Sequence, residues 1–78
     1  MPTVLRLGPY RFFFFAKDQS EPPHIHVFRD EDNAKFWLAP VRPASNNGFR
    51  SHEFKKIEKM VIEHEPLFLE RWNEFFNL

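Results

Sequence analysis

The sequence predicts a small α+β domain: a four-stranded antiparallel sheet built from residues 3–39, with two C-terminal helices from residues 51–77 packed on one face. Three observations carry this. Up to Ala39 the apolar residues alternate with a period of two, punctuated by turn signals, and after Ser51 the period becomes 3–4. The third is the short spacing between the last two strands, which permits a hairpin and excludes a parallel crossover. Strands followed by helices give a sheet covered on one side.

Thr3 to Leu7 is the first strand, and Gly8-Pro9 turns the chain into the second, Tyr10 to Lys17, which is rich in β-formers. In that strand Tyr10, Phe12, Phe14 and Ala16 share one face, and Arg11, Phe13, Phe15 and Lys17 share the other. Phe occupies the middle of both faces, so the strand is expected to be central, buried on one side and at least partly covered on the other. Asp18 to Pro23 reads as a polar loop. His24 to Arg29 is the third strand, with His24, His26 and Phe28 on one face and Ile25 and Val27 on the other. Asp30-Glu31-Asp32-Asn33 is an acidic turn, and Ala34 to Ala39 is the fourth strand. Pro40 to Gly48 is a loop by composition.

The helical region opens at Ser51, a candidate N-cap, with Glu53 in the positive first turn. Phe54, Ile57, Val61 and His64 form one apolar stripe, and Phe68, Leu69, Trp72, Phe75 and Phe76 form a second. Pro66 either ends the first helix or opens the next at its first turn.

Bulk composition narrows the functions available. Seventy-eight residues make one domain, with no cysteine to supply disulfides or thiolate ligands, and eleven Phe, two Trp and one Tyr provide the apolar mass instead. Eleven basic residues balance eleven acidic ones, which is not the footprint of a dedicated nucleic-acid binder. A local basic face of Arg6, Arg11 and Lys17 is still allowed. With no signal-like N-terminus and no long apolar run, a soluble cytoplasmic protein is the expectation, with no membrane contact. Calcium-loop, Walker, dinucleotide and metalloprotease-helix motifs are absent.

The chemistry concentrates in Pro22-Pro23-His24-Ile25-His26-Val27. On a strand the two imidazoles share a face, about 7 Å apart along the chain. Such a pair suits a metal, with His52, His64, Glu21 or Asp18 as candidates for a third ligand and His52 as the choice. It also suits acid–base work on RNA, where one ring takes the proton of a ribose hydroxyl and the other protonates the leaving oxygen. Arg11, Lys17, Arg29 and Lys35 are the candidate phosphate-stabilising cations, with Arg11 and Lys35 preferred. The competing reading gives His24 and His26 a structural or interface role. Phe13, Phe15 and Trp37 are the candidate interface residues, for a small partner protein or a second copy, with stacking on RNA as the variant.

Pro2-Thr3-Val4-Leu5-Arg6, Tyr10-Arg11-Phe12-Phe13-Phe14, Glu21-Pro22-Pro23-His24-Ile25-His26-Val27, Ala34-Lys35-Phe36-Trp37-Leu38 and Glu70-Arg71-Trp72-Asn73-Glu74-Phe75-Phe76 together resemble the small bacterial proteins grouped as the DUF4160 family. The resemblance spans nearly the whole chain and implies no established activity. It implies a component that sits beside another small protein, in arrangements suggestive of toxin–antitoxin modules. Pro66 stands where a similar protein often has a more helix-compatible residue. The function expected is therefore protein interaction, with a small His-dependent ribonuclease, metal-assisted or not, as the alternative; the cofactor is left open.

Overall fold

The computed structural model describes residues 3–76. They form a five-stranded antiparallel meander in the order β1-β2-β3-β4-β5, followed by two helices. The strands are β1 (Thr3–Leu7), β2 (Tyr10–Phe13), β3 (His24–Arg29), β4 (Asp32–Trp37) and β5 (Arg42–Asn47), and the helices are α1 (Ser51–Glu63) and α2 (Glu65–Phe76). The expected α+β class holds, with both helices on one face of the sheet. The strand count is corrected from four to five. The expected helical end at residue 77 lies outside the described residues.

β5 occupies what composition reads as a loop. All six of its residues, Arg-Pro-Ala-Ser-Asn-Asn, are exposed, so there is no buried face to leave an alternating apolar signal. Pro43 is tolerated because β5 is an edge strand, and the register with β4 shifts between Lys35 and Phe36, where Pro43 pairs. The acidic turn is also shorter than its composition implies. Asp32 and Asn33 already pair within the β3–β4 ladder, and Asp30 turns the chain at a φ of 54°.

β2 ends at Phe13, four residues before Lys17. Its last rung is Phe13 opposite His26. Beyond it the Phe15 N–H donates to Asp18 Oδ2 at 2.8 Å, and Ala16–Ser20 coils into a 3-10 turn. A short carboxylate has taken the backbone donor that a longer strand would have used in the ladder.

The core lies between the sheet and the helices. Phe12, Ile25, Val27, Ala34 and Phe36 meet Ile57 and Val61 of α1 and Phe68 and Trp72 of α2, all at 2 % exposure or less. Burying that much aromatic surface stabilises a short chain that has no disulfide. α1 is capped by Arg50 and not by Ser51, and no side chain makes the cap hydrogen bond. Glu53 instead accepts from Tyr10 Oη at 2.6 Å and from Arg29 at 2.5 Å, tying α1 to β2 and β3. His64 separates the helices, its Nδ1–H donating to the Met60 carbonyl at 2.8 Å, and Pro66 falls in the first turn of α2.

Candidate functional site

β3 places His24 and His26 on the sheet face opposite Ile25 and Val27, as period-two spacing requires. The rings lie 5.0 Å apart, edge to face. The 3-10 turn folds over them and delivers Asp18, whose Oδ2 is 3.1 Å from Nε2 of both histidines. One atom of each residue therefore converges within 4.8 Å of the others. This is the single group of its kind among the described residues.

The two histidines have different surroundings. His24 is fully buried, packed against Trp37 at 5.5 Å and Trp72 at 5.2 Å. Its Nδ1 is 2.9 Å from the Pro22 carbonyl, which can only accept, so Nδ1 carries the hydrogen. Nε2 of His24 is close to Asp18 but is not aligned for a hydrogen bond and has no partner. His26 keeps 16 % of its side chain exposed and is surrounded by Phe13 and Phe15. Burial lowers the His26 pKa, and the Asp18 carboxylate opposes that shift without cancelling it. For Asp18, burial favours the neutral acid, but the Phe15 N–H and the two imidazoles outweigh it and hold the carboxyl below its ordinary range.

The remaining candidates spread around this centre. His52 is exposed at the start of α1, and His64 caps that helix, so neither joins the histidine pair. The residue that joins the histidine pair is Asp18, one of the carboxylates in the segment before β3. Lys35 lies opposite His26 across β3 and β4, but its ammonium pairs with Glu21 at 2.6 Å and sits 4.4 Å from the Trp37 ring. Arg11 stands beside Arg6 across β1 and β2, its guanidinium 5.3 Å from the Phe13 ring. Arg29 is held by Asp32 and Glu53, and Lys17 is exposed on the 3-10 turn.

Among the interface candidates Phe13 is only 1 % exposed, enclosed by Phe15, Phe28, His26 and Arg11. Phe15, Phe28 and Trp37 are half-buried. A depression of about 420 Å³ adjoins Trp37, lined also by Pro22, Pro23, Leu38, Ala39 and Arg42. The open face of the sheet is thus an aromatic surface with arginine at one side.

The signal for Asp18 was available in the chain. It stands three residues after Phe15, the spacing from which a carboxylate reaches back to the backbone N–H that opens a helical turn. The Pro22 carbonyl as partner of His24 has no comparable sequence signal.

No described helix is long and apolar enough to cross a membrane. The family model described as a domain of unknown function, DUF4160, matches residues 10–73. No curated protein and no solved structure matches the chain.

Proposed function

The chain belongs to the DUF4160 family, whose description assigns no activity, and we propose from its own surface that it is a protein-binding module, one half of a two-protein assembly of the toxin–antitoxin kind. The observation that carries this reading is the sheet face turned away from both helices. It presents Phe15, Phe28, His26 and Trp37 half-buried together, rimmed by the neighbouring Arg6 and Arg11. Neither arginine makes an ion pair among the described residues, although like charges sit side by side there. Aromatic side chains with arginine at the margin are what protein interfaces enrich.

The charge specifies the partner. An acidic, apolar surface on a small protein neutralises the Arg6–Arg11 pair, whereas a second copy would bring two such pairs toward each other. The ribonuclease alternative draws less support from this geometry. His24 is fully buried, so only His26 is within reach of a substrate, and a two-histidine proton relay needs both.

The test is affinity purification of the intact chain from its own host, with bound protein and RNA quantified separately. A stoichiometric acidic protein is expected, lost with Arg6→Glu/Arg11→Glu and with Phe28→Ser. It is retained with Lys55→Glu/Lys59→Glu on the exposed side of α1. Recovery of RNA in place of protein, or binding indifferent to the sheet-face changes, refutes the reading.

A further inference from the structure

One buried atom has no role in the docking face. The hydrogen of His24 sits on Nδ1, so Nε2 of the neutral ring is a lone pair, fully enclosed and without a hydrogen-bond partner. It lies 3.1 Å from the anionic Oδ2 of Asp18. Two electron-rich atoms facing each other in a dry environment repel, and the interaction is stronger there than in water. A cation held between the two atoms relieves that repulsion and gives the enclosed Nε2 a partner.

We propose that Asp18, His24 and His26 bind one first-row divalent transition-metal ion through Oδ2 and the two Nε2 atoms. Ligand atoms at about 2.0–2.1 Å from a tetrahedral centre are about 3.3 Å from one another. Asp18 Oδ2 is already 3.1 Å from each Nε2, and the three atoms lie within 4.8 Å overall. Small movements of side chains bring them to ligand distance. Two imidazoles and one carboxylate favour zinc, iron, cobalt or nickel over calcium and magnesium, which take oxygen ligands.

The surrounding hydrogen bonds suit the same role. His24 donates Nδ1–H to the Pro22 carbonyl at 2.9 Å, which fixes the ring with Nε2 inward. The Phe15 N–H holds the Asp18 carboxylate at 2.8 Å. Ion entry and a fourth ligand belong on the side where His26 is partly exposed. The ion joins the 3-10 turn to β3, pinning the chain where β2 leaves the sheet. This site stands independently of the docking reading, since it requires no partner protein.

Zinc(II) is the probe. The intact chain is stripped with chelator, titrated with zinc by calorimetry, and assayed for retained metal after gel filtration. One zinc per chain is expected, with affinity lowered at least about tenfold by His26→Ala and by Asp18→Asn. His52→Ala and His64→Ala leave it unchanged. Should a ligand variant fail to fold, imidazole NMR of the wild-type chain decides: zinc must shift the ring signals of His24 and His26 and spare those of His52 and His64. Absence of retained zinc, or an equal loss with His52→Ala, or shifts confined to His52 and His64, overturns the proposal.

Discussion

Replacing Asp18 by alanine in the metal-free protein is the most direct probe of how the 3-10 turn is held. The carboxylate accepts from the Phe15 N–H at 2.8 Å and from His26 Nε2 at 3.1 Å, and its side chain is only 8 % exposed. Hydrogen bonds to a charged group contribute about 1.5–3 kcal/mol each, and the part-buried Phe15 donor left behind adds a desolvation cost. Against this, removing a buried carboxylate relieves its own desolvation, so a net loss of about 3 kcal/mol is expected. At about 2.1 cal/mol/K per residue, a 78-residue chain unfolds with an entropy near 160 cal/mol/K, so that loss lowers Tm by about 18 °C. Asp18→Asn keeps an acceptor for Phe15 but not the charge, and is expected to lose about half as much. Urea unfolding and thermal melts in chelator, near neutral pH, measure both. A loss below about 0.5 kcal/mol for Asp18→Ala, with an unchanged m-value, would show that these bonds do not hold the turn.

Three further outcomes follow from the packing. Tyr10 is the one tyrosine in the chain, and burial, then its hydrogen bond to Glu53, raises its pKa to about 12. The fold therefore favours the neutral phenol: stability is intact below pH 10 and falls by about 1.4 kcal/mol per pH unit as pH rises from 10 toward 12. Phenolate absorbance in the native state should show the raised midpoint, and denaturation at each pH the slope; a midpoint near 10 would refute it. Phe36→Ala empties a fully buried site stacked on Phe54 at 5.0 Å and should cost about 3–5 kcal/mol, enough to abolish the cooperative melt seen by circular dichroism. Gly48 has a φ of 110°, and a Cβ there would run into the Asp32 carboxylate that holds Arg29. Gly48→Ala should lose about 2 kcal/mol in urea unfolding, and an unchanged midpoint would show that the turn adapts.

The parts of the fold that bury one face were legible in the chain. β1 and β3 have the bounds that alternation predicts, because each carries apolar residues on the inward positions. β5 has no inward face to bury, and its strand character comes from pairing with β4 alone, which composition does not record. The helices followed from their apolar stripes, and Pro66 resolved into the start of α2 because its missing N–H costs nothing in a first turn. At the site, the shared face of His24 and His26 came from spacing. The complete burial of His24 did not, since it depends on Trp72, which α2 brings against the ring from far along the chain.

Asp18 connects these observations. The four consecutive phenylalanines split by parity: Phe12 and Phe14 enter the helix-covered core, while Phe13 and Phe15 turn to the open face. Continued as a strand, the same alternation would leave Phe15 on an uncovered ladder and would carry Asp18 away from β3. By capturing the Phe15 N–H, Asp18 ends the strand at Phe13 and folds its own carboxylate back over the histidines. Phe15 then packs its ring on His26 at 4.6 Å and on Phe13 at 5.1 Å, completing the aromatic surface of the open sheet face. One hydrogen bond thus joins the end of β2 to the placement of Phe15 and Asp18. The candidate site and the edge of the proposed docking face are two sides of the same turn.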